Sequence, residues 1–167
     1  MANVPFMLSE LSEADVDWLT GHGQKRSVPV GTLLIEQGKP IEWIYIVLEG
    51  RFSLYGAAGS GAIGLGEMIG EMSFVDTNPP SADVVASEDS KVLAVERRAL
   101  AAQFEKDPAF AARFFRAIAV LLAERLRDAG AVASGRQRPL KEMMGQGAEA
   151  AVTAWHRLGR MMEQLGS

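Results

Sequence analysis

The chain contains no cysteine and only two histidines among its 167 residues. Without cysteine there is no disulfide framework, no thiolate metal site and no cysteine nucleophile. His22 and His156 stand far apart in the sequence and lack the spacing of metal ligands. No serine lies in the Gly-x-Ser-x-Gly elbow of a hydrolase. These absences predict a protein that is not an enzyme and that carries no metal cofactor.

Long apolar runs and an excess of basic residues are also missing. No apolar run reaches the roughly 18 residues that a membrane helix needs. The first twenty residues carry acidic side chains instead of the basic region of a signal peptide. The net charge of −4 argues mildly against a protein built to coat nucleic acid. We therefore expect a cytoplasmic protein without membrane insertion, and a composition of 48% hydrophobic and 23% charged residues suits one folded domain with an appendage.

The middle of the chain is built from short β-prone runs separated by glycine and proline. The predicted strands are Ser27–Val30, Leu33–Ile35, Trp43–Leu48, Arg51–Tyr55, Asp83–Ala86 and Lys91–Val95. Strand-sized pieces at this spacing predict a β-roll of the jelly-roll type. The segment Gly56–Gly64 is rich in small residues and is predicted to be a flexible hairpin tip.

Helix signals flank the predicted strands on both sides. Ser12 and Asp15 have the spacing of a capping box, and Asp107 followed by Pro108 suits the start of a long helix. Gly130 is the expected end of that helix. The fold class is therefore α+β, a β-roll with an N-terminal helix, a short helix after Gly70 and long C-terminal helices. The long helix carries an apolar stripe with a period near 3.6, formed by Phe110, Phe114, Ile118, Leu121 and Leu122.

The C-terminal part divides into a linker and one more helix. We expect a domain over residues 1–133, a linker over 134–139 and an amphipathic helix over 140–167. The expected apolar positions of this helix are Ala148, Ala151, Val152, Trp155, Leu158, Met162 and Leu165. Its polar residues are of mixed sign, so docking on a partner, on a second copy or on its own body is favoured over a membrane surface.

The segment from residue 66 to residue 86 has the properties of an anion site. Gly70 and Glu71 open a short apolar turn, and Ser81 and Ala82 follow a loop. The free N–H groups and the dipole of a short helical turn attract an anion. A carboxylate such as Glu71 accepts hydrogen bonds from sugar hydroxyls, and the Ser81 hydroxyl donates to phosphate oxygens. The alternative is a plain helical turn, a loop and a strand.

This segment resembles the phosphate-binding cassette of cyclic nucleotide-binding domains, in which Gly-Glu and an apolar turn precede Pro-Arg-Ser/Ala-Ala. The runs 31–38 and 44–50, each closed by glycine, resemble the first strands of that family. The resemblance implies a regulatory β-roll and cyclic AMP or cyclic GMP as the ligand. The ligand-binding residues that it implies are Gly70, Glu71, Met72, Ser73, Ser81, Ala82 and Asp83.

The sequence departs from the family pattern at the arginine of the cassette, where Pro80 stands. Proline has no charge and no N–H donor, whereas arginine makes a bidentate, charge-assisted pair with phosphate. The cyclic-AMP receptor branch also places a threonine–serine pair against the adenine, and those positions align with Ala129 and Gly130 here. Both departures predict weak, lost or altered binding of cyclic nucleotides.

Three functions remain open from the sequence. The first is a regulatory domain that has lost cyclic-nucleotide binding or uses another small anion. The second is a true sensor in which Arg51, Arg97 or Arg125 supplies the missing cation. The third is a non-enzymatic adaptor that acts through its C-terminal helix.

The partners of the chain follow from the same comparison with the family. The winged helix-turn-helix of related regulators has no counterpart after Pro139, so no direct contact with nucleic acid is expected. In the resembled family the long helix covers the pocket and often forms the dimer. We therefore expect a homodimer through the apolar stripe of the long helix, the alternative being a helix that packs only on its own sheet. The sequence names no other protein partner.

Overall fold

The computed structural model describes residues 6–56, 59–133 and 148–166. Within these residues, eight antiparallel strands form two four-stranded sheets, and helices precede and follow them. The strands are β1 Gln24–Val28, β2 Leu33–Ile35, β3 Trp43–Glu49, β4 Phe52–Gly56, β5 Gly59–Ile63, β6 Met68–Ile69, β7 Ala82–Ala86 and β8 Ser90–Glu96. The predicted α+β β-roll is confirmed.

The two sheets share one core and the helices share another. The first sheet has the order β1-β8-β3-β6 and the second β2-β7-β4-β5. In β3, Tyr45 and Val47 face the second sheet, whereas Ile44, Ile46 and Leu48 face the helices. Because both faces of the first sheet are covered, β3 is a continuous apolar run instead of an alternating one.

One predicted loop is a strand. The segment Gly56–Gly64 was predicted to be a hairpin tip, but Gly59–Ile63 forms β5. This strand pairs with β4, with Phe52 opposite Ile63 and Gly56 opposite Gly59. Glycine and serine have low β-propensity, so the local sequence favoured a turn. The pairing with β4 and the burial of Ile63 outweigh that preference. The two-residue strand β6 was not predicted either.

The helices begin and end close to their sequence signals. A 3₁₀ helix spans Phe6–Glu10, followed by α1 Glu13–His22, α2 Glu71–Asp76, α3 Arg97–Lys106, α4 Pro108–Ala133 and α5 Ala148–Gln164. The capping box is present, since the Ser12 amide donates to Asp15 at 2.9 Å and the Asp15 amide to Ser12 Oγ at 3.1 Å. The Phe110 amide donates to Asp107 Oδ1 at 3.0 Å. Gly130 does not end α4, because the helix continues to Ala133.

The apolar stripe that was expected to form a dimer lies mostly inside the chain. Phe110, Phe114, Ile118 and Leu121 are at most 2% exposed, and Leu122 is half-buried. They pack in the core between the first sheet and the N-terminal helices. A helical period shows that one face is buried but does not say against what. The stripe is therefore part of the core of the single chain.

The C-terminal helix α5 docks on the body of its own chain. Ala154, Leu158 and Met161 are buried in the core that includes the 3₁₀ helix and α1. Val152 and Trp155, which were expected on the apolar face, are 56% and 46% exposed. The expected linker and residues 140–147 lie outside the described residues.

Ion pairs with α1 accompany this orientation of α5, in which Leu158 and Met161 face the body and Val152 and Trp155 face solvent. Arg160 Nε donates to Asp17 at 2.8 Å, and Arg157 Nη1 lies 3.4 Å from Glu13 Oε1. These two arginines point towards α1 and so hold Leu158 and Met161 against the body. A pattern of apolar residues alone does not report this polar anchoring. Among the described residues, no helix has the length and apolarity that a membrane span requires.

Candidate functional site

The first half of the cassette turns from β6 into α2 at Gly70. Gly70 has a φ of +92°, a conformation that side chains disfavour. A Cβ at this position would lie 3.3 Å from the carbonyl oxygen of Trp43 and 3.7 Å from the side chain of Ile35. The glycine therefore allows both the sharp turn and the close approach of the backbone to the core.

The second half of the cassette enters β7 through Pro80 and Ser81. The Pro80 carbonyl accepts a hydrogen bond from the Gly38 amide at 2.9 Å. Ser81 is exposed, and Ala82 is half-buried at the start of β7. The Asp83 carboxylate accepts from the Gln37 amide at 2.7 Å. Asp83 therefore fixes the loop that follows β2, a role that the sequence did not predict.

Ile35 connects the two halves of the cassette. Its backbone pairs with Val84 of β7, and its side chain lies next to Gly70. Gly70 and Val84 of β7 are thus both neighbours of Ile35. Within α2, Glu71 and Ser73 are buried, whereas Met72 is 52% exposed and faces away from the interior.

Glu71 forms an ion pair with Arg125 of α4. Arg125 Nη1 lies 2.5 Å from Glu71 Oε1, and Arg125 Nη2 donates to the Met68 carbonyl at 3.2 Å. Glu67 Oε2 lies 3.8 Å from the same guanidinium group. The Glu71 side chain is only 5% exposed and that of Arg125 is 29% exposed. The long helix therefore places a cation on the carboxylate that the resemblance assigns to the ligand.

Burial raises the pKa of Glu71, and the attraction of Arg125 offsets only part of this effect. The Glu67 carboxylate adds a small further increase. A carboxylate in this setting depends on its cationic partner to stay ionised, because the charged form is poorly solvated. The pair is therefore a polar contact inside an apolar environment, and removal of either partner leaves an unpaired group.

The two other candidate cations have different surroundings. Arg97 donates to the carbonyls of Ile41 at 2.8 Å and Ser73 at 3.0 Å. It therefore links α2 to the segment between β2 and β3. Arg51 lies just before β4, where its carbonyl accepts from the Ser87 amide. Ser87 and Ser81 are at opposite ends of β7, about 20 Å apart at strand spacing. Arg125 and Arg97 thus contact the cassette, and Arg51 lies at the far end of the sheet.

Acidic and histidine side chains do not cluster in a way that suits a metal ion anywhere in the described parts of the chain. The cassette itself offers one buried carboxylate, one paired guanidinium group and the exposed Ser81 hydroxyl. These groups suit hydrogen bonding to a polar ligand.

Comparison with known proteins agrees with this geometry. The family model described as "Cyclic nucleotide-binding domain" matches residues 25–107, which run from β1 to the end of α3. The chain belongs to the cyclic nucleotide-binding domain family. Members of this family take part in regulation, and the region that matches contains the whole cassette.

Three relatives show how far the similarity extends. The cyclic AMP receptor protein of Thermus thermophilus is 34% identical over 125 residues, which cover 71% of this chain and 56% of that protein. A cyclic nucleotide-binding domain from Methylobacillus flagellatus superposes with a TM-score of 0.69 at 23% identity, covering 82% of this chain and 84% of that one. The regulatory subunit of a cAMP-independent protein kinase A from Trypanosoma brucei has a TM-score of 0.53 at 30% identity, covering 57% and 36%.

The chain thus spans little more than half the length of its Thermus relative, and a quarter of the length of its matching mycobacterial relatives. The similarity concerns the β-roll and its helices.

The pairing of Arg125 with Glu71 was not predicted, although a signal for it exists in the sequence. Arg125 follows Phe114, Ile118 and Leu121 at intervals of four, three and four residues, so it continues the buried stripe. An arginine at a stripe position points inward and needs a buried acidic partner. Glu71 is that partner, but it lies 54 residues from Arg125 in the sequence, so the sequence alone does not indicate the pairing.

Proposed function

We propose that this chain is a cytoplasmic regulatory domain in which binding of cyclic nucleotides is weak, lost or altered. The observation that supports this most directly is the ion pair between Arg125 and Glu71. A ligand that uses the Glu71 carboxylate for its sugar hydroxyls has to compete with a guanidinium group already bound there. The long helix is then held on the cassette without a ligand.

The charge balance of the cassette supports the same proposal. Pro80 stands where the family has its phosphate-binding arginine, and Arg97 directs its donors to backbone carbonyls. A phosphate buried without its cation costs about 2–5 kcal/mol relative to a paired phosphate. This corresponds to roughly one to three and a half decades of affinity. The similar Trypanosoma brucei subunit belongs to a kinase described as cAMP-independent, so regulation without cyclic AMP has a precedent in the family.

A true sensor of cyclic nucleotides is the second candidate, and Arg125 is the observation that favours it. Its guanidinium group lies at the cassette and is 29% exposed, so it is the candidate cation best placed to reach a phosphate. In that case a ligand draws Arg125 away from Glu71. The two candidates predict different affinities for the native protein.

Calorimetric titration of the native chain with cyclic AMP and with cyclic GMP tests the proposal. We expect dissociation constants in the high-micromolar range or weaker, because Pro80 supplies no cation and, of the described residues near the cassette, Arg97 and Arg125 are already engaged. Submicromolar binding that disappears in Arg125→Ala contradicts the proposal and establishes the sensor. Arg127→Ala, two residues along the same helix and exposed, serves as the control for a lost charge on α4.

We also propose that two copies pair through the exposed face of α4. Phe115, Ala119, Leu122 and Leu126, here called the α4 stripe, follow each other at intervals of four, three and four residues, the spacing of a coiled-coil seam. Phe115 is 41% exposed and Leu126 is 75% exposed. Contact with a second copy around a two-fold axis removes both side chains from water.

A further inference from the structure

The apolar residues of α5 form two separate stripes, and only one of them is covered by the body. The buried stripe consists of Ala154, Leu158 and Met161. The second, here called the α5 stripe, consists of Val152, Trp155, Gly159 and Met162. At 100° per residue its centre lies about 110° around the helix from the buried stripe. Val152 is 56% exposed and Trp155 is 46% exposed, so the α5 stripe leaves two large apolar side chains in water, which marks a contact site.

Gly159 makes a notch in the middle of the α5 stripe. A Cβ at this position would meet nothing within 4 Å, so the packing of the chain itself does not require a glycine there. Glycine inside a helix is less favourable than alanine, but it lets another backbone approach closely. The stripe residues follow each other at intervals of three, four and three, the spacing of a coiled-coil seam. The α5 stripe therefore has the shape that a second helix fits, with Trp155 projecting beside the notch.

The outer flank of the α5 stripe is acidic. Glu149 and Glu163 are exposed there, and both lie about 60–100° around the helix from the centre of the stripe, on the side away from the buried stripe. Arg160, the basic residue next to this flank, binds Asp17 of α1 at 2.8 Å. Because the neighbouring arginine is already paired, the flank favours a partner with basic side chains.

We propose that the α5 stripe binds an amphipathic helix of another protein, a helix with large apolar residues at intervals of three and four and with basic residues along one flank. The apolar face of this helix covers Val152 and Trp155, and one of its side chains fills the notch over Gly159. Its basic residues then face Glu149 and Glu163. Tryptophan is one of the residue types that dominate the binding energy of such contacts, so Trp155 is the expected anchor.

Two other occupants match the charges of α5 less well. An antiparallel pair of α5 helices would bring the acidic flank of one copy next to the acidic flank of the other, and like charges oppose that contact. Helices that lie on a membrane surface carry lysine and arginine on their polar face, whereas this flank carries Glu149 and Glu163. The α5 stripe also lies outside residues 25–107, which match the family, so the proposed surface does not depend on a ligand at the cassette.

Fluorescence anisotropy with two labelled synthetic peptides tests the proposal on the full chain. Both peptides are about 18 residues long and carry leucine at intervals of three and four, with alanine elsewhere. One has lysine along one flank and the other has glutamate at the same positions. We expect the lysine peptide to bind with a dissociation constant below about 100 μM and the glutamate peptide to bind at least about tenfold more weakly. Equal binding of the two peptides, or no binding of the lysine peptide at about 100 μM, overturns the proposal.

The variant Gly159→Gln separates a binding role of the notch from a structural one. Glutamine has a higher helix propensity than glycine, so this variant should keep or raise the thermal stability of the chain. It also fills the notch and is expected to raise the dissociation constant of the lysine peptide by about tenfold or more. Gly130→Gln is the matched control, because Gly130 is an exposed glycine within α4 whose Cβ also meets nothing within 4 Å. It should change the constant by less than about threefold, and equal effects of the two variants contradict the proposal.

The variant Trp155→Ala distinguishes the proposed partner from the other two occupants. It is expected to weaken binding of the lysine peptide by about tenfold or more, and to leave unchanged both the mass from light scattering and the binding to vesicles of phosphatidylcholine and phosphatidylserine. A native mass that falls in Trp155→Ala shows that a second copy covers the α5 stripe. Vesicle binding by the native chain that is lost in Trp155→Ala shows that lipid covers it. Either result makes the proposal wrong.

Discussion

Single residues decide the character of the cassette, and Arg125 is the most informative of them. Its position in the buried stripe of α4 and its distance of 2.5 Å from Glu71 make it an internal partner for the cassette. Pro80, by contrast, contributes only a carbonyl that accepts from Gly38. Our proposal that the site keeps its acidic residue but lacks a cation for a phosphate rests on these two residues.

Removal of Arg125 is expected to destabilise the fold. In Arg125→Gln the buried Glu71 carboxylate loses its cationic partner, which costs about 2–4 kcal/mol near neutral pH. Urea denaturation followed by circular dichroism measures the loss. Arg127→Gln, at an exposed position of the same helix, is the control and is expected to change stability by less than about 0.5 kcal/mol.

The cost of Arg125→Gln is expected to depend on pH. Burial already raises the pKa of Glu71 above 4.5 in the native chain, and loss of Arg125 raises it further. A carboxyl with a raised pKa in the folded state favours the fold at low pH, and that contribution is lost as pH rises through the folded-state value. The difference between variant and native chain should therefore shrink as the pH falls from 8 towards 5. A difference that grows on acidification contradicts the assignment of Glu71 as the orphaned group.

Elements of the structure differ in how well the sequence predicts them. The capping box at Ser12 and the start of α4 at Pro108 are local signals, and both hold. The strand β5 was missed because pairing with β4, a non-local contact, decides it. The buried face of α5 was predicted wrongly for a similar reason, since the contact that orients the helix joins Arg160 to Asp17, which is far away in the sequence.

The docking of α5 predicts unequal effects for two of its apolar residues. Leu158 is 2% exposed and Val152 is 56% exposed on the same helix. Leu158→Ala is expected to cost about 2–4 kcal/mol because it leaves a cavity, whereas Val152→Ala is expected to cost less than about 0.5 kcal/mol. Thermal denaturation of both variants measures the contrast, and equal effects would show that α5 is not packed on the body as described.

Acid should loosen the same helix. Hydrogen bonds from Arg160 and, to a smaller extent, from Gln164 lower the pKa of Asp17 from 3.8 to about 2. A carboxyl with a lowered pKa stabilises the fold above its unfolded-state value, and this contribution is lost as the pH falls from about 4 through 2. Amide exchange of α5 should therefore accelerate over that range, and Arg160→Gln should flatten the change. An identical pH profile in Arg160→Gln rules out Asp17 as its source.

For the whole molecule, the dimer that we propose uses the exposed α4 stripe with Leu126. Phe110 and Phe114, on the stripe that the sequence predicted for the dimer, belong to the core of the chain itself. Light scattering is expected to report a mass near twice 18.0 kDa at micromolar concentration. Leu126→Glu is expected to return the mass of one chain, and a native chain that remains monomeric at about 100 μM contradicts the dimer.

The missing cation of the cassette is the central claim, and replacement of Pro80 tests it most directly. Calorimetric titration with cyclic AMP compares the native chain with Pro80→Arg and with Pro79→Arg, which adds the same charge one residue earlier at an exposed position. Because arginine at position 80 restores a charge-assisted pair with phosphate, Pro80→Arg should bind at least about tenfold more tightly than the native chain. Pro79→Arg should show little gain. Equal affinities of Pro80→Arg and Pro79→Arg, or submicromolar binding by the native chain, would contradict the account.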